Sequence, residues 1–243
     1  ERDIRQLEIE REAVKRDGDD EKLARINEEI ANLEDRRDEL RARDVAVAPA
    51  SGRQLATLQA IFPGDTFIAE NGTCVFHDGE IVSTTLLDDA TVHAVIDVAL
   101  AADMDLVVCT PTVAYHRPGI SAETEAELQK YYHSRHATED LHAVADVIKL
   151  AVFTTDIAED TIYPVLLDAA PEANVVVSGA HWVDIMHADA GKGRALTALA
   201  EAMGVDKRQT AAFGDYLNDL ELLEAAGTAW AMDNAHPDLT AIA

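Results

Sequence analysis

A short apolar run leads directly into carboxylates at residues 211–219, where the sequence reads Ala-Ala-Phe-Gly-Asp-Tyr-Leu-Asn-Asp. The run predicts a strand that ends near Gly214, so that Asp215 and Asp219 stand at the mouth of a strand-to-helix turn. Carboxylates this close together repel each other unless a cation lies between them, and oxygen-rich clusters suit Mg²⁺. The stretch therefore predicts a magnesium-assisted site for an anionic substrate.

Two other segments supply groups that carboxylates cannot. Lys192 stands between two glycines and offers a fixed positive charge, and Ser51 follows a short apolar run and offers a hydroxyl donor. We expect Lys192 to neutralise phosphate charge, and Ser51 to hydrogen-bond a phosphoryl group beside the N-terminus of a helix that starts at Arg53. Plainer interpretations stay open, because Ser51 and Asp215 could each simply cap a helix and Lys192 could be a solvated loop lysine.

Four motifs occur in the order and approximate spacing of the haloacid-dehalogenase-like phosphatases, and the chain most resembles their Cof-type branch. They are Ser51-Gly52-Arg53, Glu70-Asn71-Gly72-Thr73, Asp189-Ala190-Gly191-Lys192-Gly193 and Gly214-Asp215-Tyr216-Leu217-Asn218-Asp219. The resemblance covers roughly residues 44 to 243. It implies an α/β fold, with a Rossmannoid three-layer core and a large α+β cap.

The same resemblance assigns roles to individual residues. Asp215 and Asp219 become the Mg²⁺ ligands, although Asp219 could instead orient Lys192. Ser51 and Lys192 become the catalytic residues of a phosphatase that acts on a small phosphorylated metabolite. The substrate's phosphate is then bound by Ser51, Gly52, Arg53, Asn71 and Asn218.

One motif of that family is missing from this sequence. The resemblance implies an Asp-x-Asp-Gly-Thr motif at the end of the first apolar strand, with the nucleophile as its first residue. Upstream of Ser51, the only Asp-x-Asp is Asp17-Gly18-Asp19, which follows a charged, helix-like stretch and lacks the Gly-Thr. We therefore expect a site that retains phosphate-binding parts and is catalytically inactive. An alternative is that another chain supplies the missing strand.

The first 43 residues differ in character from the rest. They contain no aromatic residue and no proline, and Leu23, Ile26 and Ile30 begin an apolar heptad stripe. The pattern predicts a helical coiled-coil-like segment in two halves, with Asp20 capping the second helix. Residues 5–16 also resemble the coiled-coil middle domain of ClpB-type disaggregases. A generic amphipathic helix, a fusion, a truncation or a non-enzymatic module that docks a helical partner remain open alternatives.

Periodicity divides the remainder of the chain into a core at residues 44–76 and 186–243 and a cap at 77–185. In the core it predicts strands at 45–50, 67–69, 209–213 and 228–232, and helices at 54–62, 194–203 and 220–226. In the cap it predicts helices at 89–102, 121–133 and 160–170 and strands at 106–109, 147–154 and 175–178. A sheet without its central first strand would expose unpaired backbone groups, so we expect marginal stability, aggregation or self-association through that edge.

Charge and composition limit the choice of partners. The formal net charge of −26 disfavours nucleic acid and anionic membranes as partners. Nothing in the sequence resembles a signal peptide or is apolar for long enough to span a bilayer. Cys74 and Cys109 stand in separate strand-like runs and suggest no disulfide framework, so we expect a cytoplasmic protein.

Overall fold

The computed structural model describes residues 20–41, 43, 45–62 and 64–243. The helices are α1 Asp20–Arg41, α2 Leu55–Ile61, α3 Asp89–Ala101, α4 Ala122–Tyr131, α5 Ala158–Thr161, α6 Tyr163–Ala169, α7 Lys192–Met203, α8 Leu220–Ala225 and α9 Pro237–Thr240. The strands are β1 Thr66–Ala69, β2 Cys74–His77, β3 Glu80–Thr84, β4 Asp105–Cys109, β5 Ala114–His116, β6 Arg135–Ala137, β7 Lys149–Phe153, β8 Asn174–Gly179, β9 Trp182–Met186, β10 Ala211–Gly214 and β11 Thr228–Ala231.

These elements fall into two compact units. Among the described residues, the first contains α1, the residues from there to Ala48 and the short segment 61–64, and the second contains Pro49–Ala60 and Asp65–Ala243. Each of the candidate site residues lies in the second unit. None of the described helices is both long and apolar enough to cross a membrane.

Helix α1 begins at Asp20, where the sequence predicts the second N-terminal helix to start. Ile26 and Ile30, one turn apart, are both buried, as expected for two positions of an apolar stripe. The first predicted helix, including the segment that resembles a disaggregase, lies outside the described residues. The coiled-coil pairing of this segment stays a prediction.

Six strands form the largest sheet, which we call the large sheet, in the order β6-β5-β4-β7-β9-β8. Its neighbours are antiparallel except for β5 and β6, which run parallel. Every residue of β7 and of β9 is buried, which explains why both strands read as apolar runs with a single charged residue in each. Those two charges are Lys149 and Asp184.

One apolar core holds the large sheet to helices α3, α5 and α6. Ile96 of α3 and Leu166 of α6 are completely buried and belong to the same cluster as Leu150 and Val152 of β7. Fully burying one such side chain stabilises the fold by about 1.5–3 kcal/mol. This core holds the strands of the large sheet in place against the three helices.

Two smaller sheets complete the second unit. Strands β1, β2 and β3 form an antiparallel meander, the hairpin sheet, and β10 and β11 form a parallel pair. One face of that pair is bare, because Phe213 and Trp230 are 64% and 55% exposed and stack with ring centroids 6.3 Å apart. Parallel strands are ordinarily covered on both faces, so this face is unusual.

The strand predicted at residues 45–50 does not form. Residues 45–49 have no regular structure, Val45 and Val47 are exposed, and Ala50 alone makes a bridge, parallel to Ile68. Across the described part of the chain, Ala50 pairs on one side only, and a short apolar segment with one neighbour gains too little to become a regular strand.

A second correction concerns the helix predicted at 160–170. It consists of two short helices that meet at Ile162, with Pro164 in the first turn of the second. Proline has no backbone N–H to donate, so it is tolerated in a first turn and disfavoured in a helix interior. The other predicted helices and strands agree with the structure to within a few residues. The predicted boundaries between core and cap stay predictions. The boundary at residues 76 and 77 would assign most of β2 to the core and β3 to the cap, although these two strands pair in the hairpin sheet.

Candidate active site

The loop at Ser51 is fastened to the turn that follows β1. The Ser51 amide donates to the Ile68 carbonyl at 2.9 Å, and the Ser51 carbonyl accepts from the Asn71 amide at 3.0 Å. The Glu70 amide donates to the Arg53 carbonyl, also at 3.0 Å. Three backbone hydrogen bonds therefore hold the segments 51–53 and 68–71 together.

The turn at 70–72 has an uncommon backbone. Glu70, Asn71 and Gly72 all have positive φ, at 50°, 57° and 95°. For residues other than glycine this conformation costs free energy and persists only where the surroundings enforce it. Gly52 lies against this turn, because a β-carbon added to Gly52 would stand 2.8 Å from the Asn71 Oδ1 atom. The strained turn thus aims Asn71 at the Ser51 loop.

Lys192 and Asp219 form a buried ion pair, with the Lys192 Nζ atom 2.6 Å from Asp219 Oδ1. The other oxygen, Asp219 Oδ2, accepts from the Asp215 amide at 3.2 Å. Gly214 leaves room for this carboxylate, since a β-carbon there would meet the Asp219 side chain at 2.7 Å. Asp219 therefore joins the end of β10 to the start of α7.

Gly72 brings the two halves of the site together. A β-carbon on Gly72 would stand 2.4 Å from the Gly191 carbonyl oxygen and 2.8 Å from the Lys192 amide nitrogen. Only glycine permits this approach and the positive φ at once. The strained turn and the Lys192–Asp219 pair are consequently neighbours.

Three predicted residues differ in detail from expectation. Helix α2 begins at Leu55 and not at Arg53, so Ser51 precedes it by a short turn in which Ser51 Oγ accepts from the Arg53 amide at 3.3 Å. The Arg53 guanidinium donates to the Lys130 carbonyl at 3.2 Å and lies 5.7 Å from the centre of the Tyr131 ring. Asn218 is exposed on the turn after β10.

A second buried charge cluster lies beside the strained turn. Lys149 Nζ is 2.5 Å from Glu70 Oε2, 4.0 Å from Asp184 Oδ2 and 3.5 Å from the Gly52 carbonyl oxygen. Asp184 Oδ2 also accepts from Asn71 Nδ2 at 3.3 Å. The cluster therefore links strands β7 and β9 of the large sheet to the Ser51 loop and to the strained turn.

Burial and charge act against each other within this cluster. Burial alone would lower the pKa of Lys149, but the Asp184 and Glu70 carboxylates raise that pKa well above its usual range, so the ammonium persists. Burial raises the pKa of the Glu70 carboxyl, and the Lys149 ammonium opposes the change. Within the described residues, Glu70 Oε1 has no hydrogen-bond partner, so Lys149 is the principal compensation for this carboxylate.

The residues present can contribute only part of a Mg²⁺ site. Both oxygens of Asp219 are already engaged, one by Lys192 and one by the Asp215 amide. The described chain holds no group of three or more His, Cys, Asp or Glu side chains placed to bind a metal. Mg²⁺ commonly takes only one or two carboxylates together with substrate phosphate and water, and Asp215 is suited to such a role. The metal-ligand assignments of Asp215 and Asp219 stay predictions.

The haloacid dehalogenase-like hydrolase family matches residues 24–243, which is most of the sequence. The chain belongs to this family. The match begins inside α1, so the family's part of the chain starts about twenty residues before the boundary that the resemblance suggested. The likeness of residues 5–16 to a disaggregase stays a prediction.

Two relatives of the chain are phosphatases by name. The chain is 26% identical over 212 residues to the Escherichia coli 5-amino-6-(5-phospho-D-ribitylamino)uracil phosphatase YbjI, covering 84% of this chain and 78% of that protein. It is 27% identical over 209 residues to the HMP-PP phosphatase of Citrobacter koseri, covering 83% and 76% of the two chains. A solved structure from Eubacterium rectale superposes with a TM-score of 0.74 at 26% identity, over 85% of this chain and 81% of that one. The haloacid dehalogenase-like α/β fold is thus shown.

Sequence reasoning did not find the roles of Glu70, Lys149 and Asp184. Glu70 was noticed only as part of a motif. A signal was available, because Lys149 and Asp184 are single charges within apolar runs that predict buried strands. A charge that folding buries needs a partner, so two such charges of opposite sign predict a pair.

Proposed function

We propose that this site binds the phosphoryl group of a small phosphorylated metabolite and has the architecture of a Mg²⁺-dependent phosphatase. The observation that carries the proposal is the buried Lys192–Asp219 pair at the end of β10, packed through Gly72 against the turn that holds Asn71. The two phosphatases that the chain resembles support the substrate class, since both act on small phosphorylated compounds.

Each residue has a definite task in this proposal. The Lys192 ammonium donates one of its three hydrogens to Asp219, which leaves two for phosphate oxygens. Ser51 has a hydroxyl to donate, and Asn71 is held in place by its bond to Asp184. A buried ammonium with fixed orientation stabilises anionic oxygens far better than one in water does.

Mg²⁺, held by Asp215 and by the substrate, would add charge neutralisation on the phosphoryl oxygens. The chain's own residues bind and orient the phosphate, but the sequence offers no strand-borne Asp-x-Asp to attack it. We therefore propose phosphate binding without appreciable turnover, because covalent catalysis without its nucleophile loses most of its acceleration.

Isothermal titration of the full chain with inorganic phosphate in the presence of Mg²⁺ tests this proposal. We expect saturable binding that Lys192→Met abolishes and that Lys207→Met leaves intact. Lys207 is the matched control, because its exposed ammonium bonds only to the Glu224 carbonyl in the described structure. Equal binding by wild type and Lys192→Met would overturn the assignment of Lys192.

A further inference from the structure

The buried cluster around Lys149 belongs to two different parts of the fold. Lys149 and Asp184 come from neighbouring antiparallel strands in the middle of the large sheet, and Glu70 comes from the strained turn after β1. The exposed fractions of the three side chains are 3% for Lys149, 8% for Asp184 and 1% for Glu70. Little solvent competes for these charges, so the attraction between them is stronger than it would be in water.

The cluster also reaches the groups that would contact phosphate. Lys149 Nζ approaches the carbonyl of Gly52, the residue after Ser51, and Asp184 accepts from the side chain of Asn71. The Lys149 ammonium also lies over the ring of Tyr132, with Nζ 5.5 Å from the ring centre.

We infer that Lys149 is a positioning residue, whose ammonium holds the Ser51–Arg53 loop and the Glu70–Asn71 turn in the geometry that binds phosphate. The inference rests on the proposed function and adds a role for the large sheet, which supplies the charge that fixes the binding loop. Two buried carboxylates converge on one ammonium. Without it they repel each other, and Glu70 would have to leave the strained conformation or take up a proton.

Lys149→Met alone would leave Glu70 and Asp184 uncompensated and could unfold the protein. The test therefore uses Lys149→Met combined with Glu70→Gln, which removes the closest pair of charges together. Lys149→Arg is the conservative variant, which retains a cation, and Lys207→Met is the control for loss of a lysine elsewhere.

Native-state hydrogen exchange measures how well the hydrogen bonds between the loop and the turn protect their amides. The amides of Glu70 and Asn71 are bonded to Arg53 and Ser51, and the amides of α7 serve as the internal reference. We expect the double variant to exchange at Glu70 and Asn71 about tenfold faster or more, with α7 unchanged. The Lys149→Arg variant, which retains a cation, should keep more of this protection than the double variant does.

Phosphate titration of the same variants supplies the second readout. The double variant should bind inorganic phosphate about tenfold more weakly, and Lys207→Met should bind as wild type does. Unchanged protection at Glu70 and Asn71, or a loss of protection spread equally over α7, would overturn the inference. If wild type bound no phosphate, the proposed function would fail, and the exchange data would still decide whether Lys149 fixes the loop.

Discussion

Lys192 Nζ lies 2.6 Å from Asp219 Oδ1, with 6% of the lysine side chain and 10% of the aspartate side chain exposed. The pair connects the start of α7 to the turn after β10. It therefore determines the direction in which the buried Lys192 ammonium points. A buried pair of this kind contributes less through net attraction than through the penalty for breaking it.

Removal of one partner should therefore be costly. Lys192→Met leaves Asp219 buried and uncompensated, and we expect the free energy of unfolding to fall by about 3–5 kcal/mol. Adding Asp219→Asn to this variant should recover part of the loss, because no buried charge then remains at the site. Urea denaturation followed by circular dichroism measures both values, and an additive loss in the double variant would contradict the prediction.

Catalysis should be almost absent in this chain. Because no strand-borne Asp-x-Asp precedes Ser51, we expect hydrolysis of para-nitrophenyl phosphate with Mg²⁺ to stay far below about 1 per second, the lower end of ordinary turnover numbers. A colorimetric assay over hours is sufficient. Turnover within the ordinary range would show that another carboxylate replaces the missing nucleophile.

Cation binding should be weak and should depend on Asp215. With the carboxylate of Asp219 engaged by Lys192, Asp215→Asn removes the main candidate ligand and should lower the affinity for Mn²⁺, used as a probe for the Mg²⁺ site. Asp156→Asn, an exposed carboxylate on the loop after β7, is the control. Water-proton relaxation with Mn²⁺ measures the affinities, and equal values for all three proteins would show that the ligand lies elsewhere.

The two thiols should make the fold less stable in alkali. Burial raises the pKa of Cys74 from 9.0 to about 12 and holds that of Cys109 well above its usual range. Above pH 9 the unfolded thiols ionise while the folded ones stay protonated, so each thiol should lower the free energy of unfolding by up to about 1.4 kcal/mol per pH unit. Denaturation at pH 8, 9 and 10 tests this.

Cys74→Ala and Cys109→Ala should each flatten that slope, whatever they do to the stability at pH 8. Both thiols are buried, so they should also resist a thiol reagent at pH 8 until the protein unfolds. Rapid labelling of the folded protein would contradict the assignment of high pKa values.

The bare face of the parallel pair β10–β11 should promote self-association. Phe213 and Trp230 together present two stacked aromatic rings to solvent, and the described residues place no third strand beside this pair. Phe213→Thr with Trp230→Thr should reduce association, whereas Ile157→Thr, at another exposed apolar position, should not. Size-exclusion chromatography with light scattering reports the mass, and a wild-type monomer at high concentration would refute the idea.

The sequence predicted strands β1, β4, β7, β8, β10 and β11 and most of the helices, because apolar periodicity and glycine-marked turns are local signals, and it did not predict β2, β3, β5, β6 and β9. It also marked Ser51, Lys192 and Asp219 as candidate site residues, since each belongs to a short local motif, and their roles stay predictions. It misplaced the strand at 45–50, because strand formation depends on distant pairing partners, and here Ala50 pairs only with Ile68 among the described residues.

The buried charges were harder to predict than the motifs. Lys149 and Glu70 meet only because the large sheet packs against the turn after β1, and no local pattern encodes that meeting. Arg53 illustrates the same limit. Its place in a motif suggested phosphate, yet the Lys130 carbonyl and the Tyr131 ring, far along the chain, engage its guanidinium.

Gln54 forms a further link of this long-range kind. Its side chain is buried and bonds the backbone of Ser134, 80 residues away, in both directions: it donates to the carbonyl at 2.7 Å and accepts from the amide at 2.8 Å. We expect a contact between residues so far apart in the sequence to form late in folding, after the local hairpins and helices. Gln54→Ala should then accelerate unfolding while leaving the refolding rate nearly unchanged, so this amide determines how long the native state lasts and not how quickly it is reached.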